Sequence, residues 1–372
     1  MPKDMLKSLV RRRCLAAVTT LGLIQALFTT TPGHAQDTKA DNSPRPDLVV
    51  DYSRPGQFVT LADGRHINLR CVGAGKTTVV LDAGGGTFSL TWRLVQSDIA
   101  RFTRVCSYDR AGYGFSDVNT RPSTGTNIVD DLHQTLAAAG IHPPLLLVGH
   151  SAGGQYATLY AETHPEDVAG LVLIDPGFAT WSHDNVTMAW SAHPDLLAKA
   201  RADQATHTAL MQTCVPRLRS GMYKTGDLGE CDCMDTTYMP ELADYVHHYC
   251  RSPKQFEGMI AEEAELLGKT GDWPSQTEQE MTAAARSFGA MPVTILAHGR
   301  AISFADNDDL NARMDIVWRG GLVGLAAQSD RGKVVVVRNS GHSIQLEQPD
   351  AVIATIHEML QMISVPSDAG QK

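Results

Sequence analysis

Short apolar, β-branched runs alternate along this chain with stretches that carry an apolar residue every three or four positions. The candidate strands are Phe58 to Leu61, His66 to Val72, Thr78 to Asp82, Arg104 to Tyr108, Leu145 to Val148, Gly170 to Ile174, Val293 to Ala297 and Lys333 to Val337. Between them, Trp92 to Arg101, Asn127 to Ala139, Gly154 to Glu162, Asp308 to Trp318 and Pro349 to Met362 have the apolar period of amphipathic helices. Strand and helix taking turns in this way imply an α/β fold: an eight-stranded, mostly parallel sheet with helices on both faces.

The rhythm breaks once. From residue 177 to about 290 the sequence is helix-rich, with Met, Trp and Cys and no clear strand. This stretch reads as a helical cap inserted over the carboxyl edge of the sheet, where ligands bind in open α/β folds. It divides the core into residues 57–176 and 291–364, with a tail at 365–372. Residues 1–35 read as an export signal: Lys3, Lys7 and Arg11-Arg12-Arg13, an apolar stretch from Cys14 to Phe28, and Gly33-His34-Ala35 as a small-residue cleavage site. The apolar stretch is short for a membrane span, so a periplasmic or secreted protein without an anchor is expected, by the general or the twin-arginine route. Residues 36–56, polar and proline-bearing, read as a mobile leader.

Removing the signal leaves 27 basic against 40 acidic side chains, a net charge of about −13. Such a field disfavours nucleic acid or an anionic membrane as partner and leaves a small molecule as the expected one. Six cysteines remain, an even number in a chain bound for an oxidising compartment, so disulfides are expected. Cys71 and Cys106 fall in strand candidates, while Cys214, Cys231, Cys233 and Cys250 fall in the cap. Pairings of Cys214 and Cys250 with Cys231 and Cys233 are preferred to a strained Cys231–Cys233 bridge, and a zinc site with His247 or His248 is the rival.

Chemistry concentrates at Gly149-His150-Ser151-Ala152-Gly153, where the apolar run ending at Val148 gives way to a helical stretch. A serine on so tight a strand-to-helix turn has its hydroxyl lifted out of the sheet, and side chains two residues either side would collide. Such a hydroxyl needs a base to take its proton and a carboxylate to hold that base in one tautomer. His342 follows the last strand and precedes the last helix, on a loop at the same edge of the sheet. Asp175, ending the strand after the elbow helix, is the preferred acid; Asp306, Asp308 and Asp309 are alternatives, although they also look like the cap and first turn of a helix. His150 reads as packing beside the nucleophile. Ala152 and the glycine loop Asp82-Ala83-Gly84-Gly85-Gly86-Thr87 are the candidate oxyanion-hole donors, with Gly85 the choice within the loop.

The run Val79 to Gly86, then Arg104-Val105-Cys106-Ser107-Tyr108-Asp109-Arg110-Ala111-Gly112-Tyr113-Gly114, the elbow, Leu171 to Pro176, and Ser340-Gly341-His342 resemble the α/β-hydrolase superfamily, in particular exported esterase-like members with a helical cap. The resemblance implies that the second and fourth strands are neighbours, so that Cys71 and Cys106 could bridge them. Two departures stand out. The usual His-Gly opening of the oxyanion loop is Ala83-Gly84, and the slot after the seventh strand, where many relatives place the acid, reads Gly299-Arg300-Ala301-Ile302. The second departure favours Asp175, at a position some relatives use.

The expected reaction is ester hydrolysis through an acyl-enzyme, with Ser151 as nucleophile, His342 as base, Asp175 orienting the ring, and the amides of Gly85 and Ala152 holding the oxyanion. No metal or organic cofactor is required. Turnover should fall below about pH 6.5, where histidines ordinarily take up a proton. Serine at the elbow disfavours dehalogenase and epoxide-hydrolase chemistry, which use aspartate there, but does not separate ester from amide or lactone. Trp181, Met188, Trp190, Met211, Met222, Met234, Met239 and Trp273 suggest an apolar substrate pocket or the cap's own core. An aminopeptidase-like alternative would need cap carboxylates for a free amine, and Glu262, Glu263 and Glu265 could supply them. A non-catalytic binding protein is disfavoured by the intact serine, histidine and acids.

Overall fold

A computed structural model describes residues 50–221, 252–266, 274–303 and 305–364. All eight expected strands form: β1 (Gln57–Thr60), β2 (His66–Val72), β3 (Thr78–Asp82), β4 (Arg104–Tyr108), β5 (Leu145–His150), β6 (Val168–Ile174), β7 (Val293–His298) and β8 (Gly332–Val337). They make one sheet in the order β1-β2-β4-β3-β5-β6-β7-β8. Strand β2 is antiparallel to both its neighbours, and the remaining pairs are parallel. The order reverses direction at β3, which has β4 on one side and β5 on the other, so the crevice at the carboxyl ends of β3 and β5 is the natural ligand position.

The helices are α1 (Gln96–Ile99), α2 (Gly125–Ala138), α3 (Ala152–Thr163), α4 (Trp181–Asp184), α5 (Pro194–Arg219), α6 (Pro253–Leu266), α7 (Gln276–Ala284), α8 (Asp308–Ala326), α9 (Ile344–Glu347) and α10 (Pro349–Ser364). Successive strand residues feed opposite faces of the sheet. Val80, Leu147, Leu171 and Leu173 pack with Leu132 of α2, Tyr156 and Leu159 of α3, and Leu322 of α8. Their neighbours Val79, Leu81, Leu146, Val148 and Val172 pack with Ile99 of α1 and with Val352, Ile356 and Met359 of α10. Both faces are therefore dry, which is why these strands read as unbroken apolar runs.

Two helices differ from expectation. Trp92 to Arg101 is helical only over Gln96–Ile99, because Trp92, Val95 and Ile99 reach the core from a chain of short turns with the same apolar spacing. Helix α8 continues past Trp318 to Ala326, through glycines that weaken a helix by propensity. Gly321 repays that weakness: a Cβ there would collide with the ring of Phe178, so the helix lies flush on the cap's first residues.

The described parts of 177–290 hold helices and no strand, and α5 packs on α6 through Met211, Cys214, Leu218 and Phe256. Of the expected mobile leader, residues 50–56 lie against the sheet: Tyr52 is buried and donates to Gln96 at 2.5 Å, and Arg70 donates to the carbonyls of Asp51 and Arg54. The stretches expected to be an export signal, the rest of the leader and the tail lie outside the described residues. Among the described residues no helix is long and apolar enough to cross a membrane.

Cys71 and Cys106 are register partners on β2 and β4 and are joined as a disulfide. Cys214 is disulfide-bonded as well, while Cys231, Cys233 and Cys250, together with His247 and His248 of the zinc alternative, lie outside the described residues.

Candidate active site

Ser151 occupies the turn between β5 and α3 with φ 53° and ψ −119°, in the left-handed half of backbone space that L-residues avoid. The turn is held from several sides: the Ser151 amide donates to the Ile174 carbonyl, and its own carbonyl accepts from the amides of Gly154 and Gly177. A Cβ at Gly149 would strike the Gly153 carbonyl, and one at Gly153 would strike the carbonyls of Asp82 and Ala83. The sharp turn is thus possible only with glycine at both positions.

At the end of the neighbouring strand, Asp175 also has a positive φ, 43°. Its carboxylate is fully buried and is surrounded by donors. His342 Nδ1 lies 2.7 Å from Oδ2, the indole N–H of Trp318 donates to Oδ1 at 3.0 Å, the amide of His298 donates to Oδ1 at 3.2 Å, and His298 Nδ1 lies 2.9 Å from both oxygens. Burial alone would raise this carboxyl, but the bonds from His298 and His342 outweigh it and hold the group well below the usual carboxylate range. The other candidate acids lie elsewhere: Asp308 and Asp309 form the first turn of α8 behind the Asn307 cap, with Asp309 bound by His193 and Arg313, and Asp306 lies in the preceding loop.

Sequence reasoning missed His298 and Trp318. His298 ends β7 and is buried between two carboxylates, Asp175 on Nδ1 and Asp315 on Nε2 at 3.2 Å. Burial opposes a charged ring, but these two acids prevail and raise its pKa. The missing acid after β7 is the available clue: an imidazole stands at the strand end instead, against the acid of β6.

His150 packs beside Ser151 and also makes a specific contact. Its Nε2 lies 3.1 Å from the His342 carbonyl, which can only accept, so the proton sits on Nε2. Nδ1 is left bare and without a hydrogen-bond partner, facing Gly84. Burial and the neighbouring His342 push this ring down to about 3, so it stays neutral and serves as a fixed donor to the loop that carries His342.

The glycine loop after β3 is clamped rather than free. Arg110 donates from Nη1 to Asp82 and to the Ala83 carbonyl, and from Nη2 to the Gly84 carbonyl at 2.7 Å. Because a trans peptide points its C=O and N–H in opposite directions, a Gly84 carbonyl held by Arg110 turns the Gly85 N–H the other way. Gly85 lines the cavity, and a Cβ there would sit 3.5 Å from Cβ of Ala152. The next amide, Gly86, donates to Glu262 of the cap at 2.9 Å and is not available to a substrate.

These groups meet in one cavity of about 300 Å³ lined by Gly85, Ser151, Ala152, Gln155, Gly177, Trp181, Leu266, Ile302, Trp318 and His342. Of the cap residues singled out in the sequence, Trp181 lines it, meeting Trp318 edge to face at 4.5 Å. Trp190 packs on the main core, Met211 belongs to the cap's own core, and Met188 is exposed. Met222, Met234, Met239 and Trp273 lie outside the described residues.

The carboxylates considered for amine binding are otherwise engaged. Glu262 is buried against Arg110, Tyr113, Tyr156 and the Gly86 amide, Glu263 accepts from Gln204, and Glu265 is buried. A separate group, His133, His164 and Asp167, has the composition of a metal site. Its two rings stack at 4.1 Å and 8° from parallel, so their nitrogen lone pairs lie in parallel planes and do not converge on one ion.

An eight-stranded sheet of this order, with a serine on a strained turn and a buried carboxylate–histidine pair beside it, defines the α/β hydrolases as a class. Residues 79–355 match the alpha/beta hydrolase family, and the chain belongs to it as a hydrolase. It is 24% identical over 288 residues to the uncharacterised protein YqjL of Bacillus subtilis, covering 77% of this chain and 85% of that one. Of two further curated relatives it spans only 29% and 15% of their length. Among solved structures it resembles a putative epoxide hydrolase of Pseudomonas aeruginosa, with TM-score 0.58, 19% identity, and coverage of 82% of this chain and 96% of that one. It also resembles an esterase of Exiguobacterium antarcticum, with TM-score 0.53, 17% identity, and coverage of 82% and 99%. Likeness at that identity speaks for the fold.

Proposed function

We propose that the protein is a serine hydrolase that cleaves carboxylic esters through an acyl-enzyme. Ser151 attacks the carbonyl, His342 takes the serine proton and returns it to the leaving alkoxide, and Asp175 holds the imidazole with its proton on Nδ1. The amides of Gly85 and Ala152 receive the oxyanion. The observation that carries this reading is the 2.7 Å pairing of Asp175 with His342 Nδ1, which leaves Nε2 for the cavity that Ser151 also lines. Serine in place of aspartate at the elbow favours ester over epoxide chemistry.

The peptidase alternative has weaker support, since the buried Glu262 already has an arginine, two phenols and an amide as partners. The substrate proposed is a small ester with an apolar acyl group, because Trp181, Trp318, Leu266 and Ile302 wall the cavity and about 300 Å³ is at the small end for ligand pockets. Export to an oxidising compartment is part of the same proposal, supported by the basic and apolar start of the chain and by the Cys71–Cys106 disulfide.

Purified protein should be labelled by a fluorophosphonate and should hydrolyse p-nitrophenyl esters, fastest for short acyl chains, with both lost in Ser151→Ala. Faster turnover of an aminoacyl p-nitroanilide than of the matching ester would sink the esterase reading, and labelling that survives in Ser151→Ala would sink the nucleophile.

A further inference from the structure

A buried ionic group joins the cap to the glycine loop. Arg110 lies between two carboxylates, with Nη1 on Asp82 at 2.8 Å and Nη2 on Glu262 at 2.9 Å, and all three side chains are almost wholly excluded from solvent. The same two nitrogens donate to the Ala83 and Gly84 carbonyls. Glu262, from α6 of the cap, uses its second oxygen to accept from the Gly86 amide at 2.9 Å and from the Tyr113 hydroxyl at 2.5 Å. Tyr156 donates to its first oxygen at 3.0 Å, and the rings of Tyr113 and Tyr156 flank the guanidinium. Two successive peptides are thereby fixed from opposite ends: Gly84–Gly85 by its carbonyl, on Arg110, and Gly85–Gly86 by its N–H, on Glu262. The amide between these anchors is that of Gly85.

We propose that Glu262 is a positioning residue for the oxyanion hole, acting through Arg110 and Gly86 to aim the Gly85 N–H, so that the hole is complete only while the cap helix α6 is seated. Glu262 touches no substrate in this arrangement. Its carboxylate is needed because it must accept from the Gly86 amide and Tyr113 on one oxygen and from Arg110 and Tyr156 on the other. A glutamine offers one accepting oxygen, and its NH2 would face either the guanidinium or the Gly86 N–H. One anchor is then lost among side chains that are almost wholly buried. The inference rests on the serine-esterase reading, because only an oxyanion gives the aim of that amide a kinetic consequence.

The test compares wild type with Glu262→Gln in p-nitrophenyl butyrate hydrolysis and in inhibition by an alkyl trifluoromethyl ketone. With the ketone, a bond forms from serine oxygen to the carbonyl carbon, the carbonyl π pair moves to oxygen, and the serine proton passes to His342. The adduct thus carries the oxyanion. The expected result is a kcat about ten- to hundredfold lower, less than the 10²–10³ typical of deleting a donor outright, with KM within twofold. Affinity for the ketone should fall by the same factor as kcat/KM. Tyr113→Phe, which removes one donor to Glu262 and leaves its charge, should give a smaller loss with the same match, and it decides the matter if Glu262→Gln does not fold. Unchanged kcat and ketone affinity in a folded variant would overturn the clamp, as would a loss confined to KM. A wild type that neither turns over the ester nor binds the ketone would instead overturn the esterase reading, and the clamp with it.

Discussion

Ser151 and Asp175 are the non-glycine residues with positive φ among those described, and they end adjacent parallel strands. Backbone strain of this kind costs on the order of 1–3 kcal/mol per residue and persists only where surrounding contacts enforce it. Here the enforcing contacts are backbone hydrogen bonds: the Ser151 amide on Ile174, and the Asp175 amide on Leu296 at 2.7 Å. The serine was legible because its glycine neighbours are a local signature. The proposed acid was legible only in part: Asp-Pro is also a turn signal, and what separates Asp175 from Asp308 is its ring of donors, contributed by residues from 298 to 342. Asp175→Asn tests that ring. The amide keeps the shape but presents the wrong hydrogen-bonding face to His342, so kcat should drop by about 10⁴ while fluorescence-detected unfolding remains cooperative. A fall of less than tenfold would remove Asp175 from the orienting role. The substitution also bears on acid stability. The folded state holds this carboxyl below its unfolded value, so its contribution is full at neutral pH and is lost as pH falls below about 3.9.

At the scale of elements, strands were read to within a residue or two because the inner strands are buried on both faces and their apolar runs end where the sheet ends. Helices were read less well, since an apolar period of three to four is also met by the consecutive turns around Trp92 to Ile99, and since glycines discourage a helix that packing then sustains at α8. The Cys71–Cys106 pairing, by contrast, depends on which strands are neighbours, and the alternating pattern does not state that; resemblance supplied it and the β2–β4 register bears it out. The bridge closes a loop of 35 residues between an antiparallel pair near the sheet's edge, with β3 between it and the strand that leads to Ser151. In the chain-entropy account such a loop is worth about 2–4 kcal/mol, most of it by restricting the unfolded chain. The double variant Cys71→Ser, Cys106→Ser should therefore lose roughly that much in urea unfolding and keep its kcat at 25 °C. A variant as stable as the parent would show that the native strand pairing already restricts the unfolded ensemble.

For the whole molecule, the feature hardest to read from sequence was the way the cap completes the core. Glu262 meets Gly86 across 176 residues, and its neighbours Glu263 and Glu265 look equivalent in a charge pattern; only the fold shows which of them is buried on Arg110. The pH dependence of stability is also a property of the whole, because buried groups in different layers pull in opposite directions. Glu162 on α3 has an oxygen with no hydrogen-bond partner and is pushed up to about 7 by burial, against a weak opposing influence from Arg286. Its folded value lies above its unfolded value of about 4.5, so the fold is favoured where the acid is protonated in both states and loses stability as pH rises from there to 7, by about 3 kcal/mol in total. His150 acts in reverse: neutral in the fold down to about 3, it costs stability as pH falls below 6.5, where the unfolded chain takes up a proton. Between about pH 4.5 and 6.5 these two slopes partly cancel. Glu162→Gln removes one side of that balance. It should gain up to about 3 kcal/mol at pH 8 and gain little at pH 4.5. Urea unfolding at pH 4.5, 6 and 8 measures both, and equal changes at the three values would show that Glu162 has the same pKa folded as unfolded, as it would if water reached it.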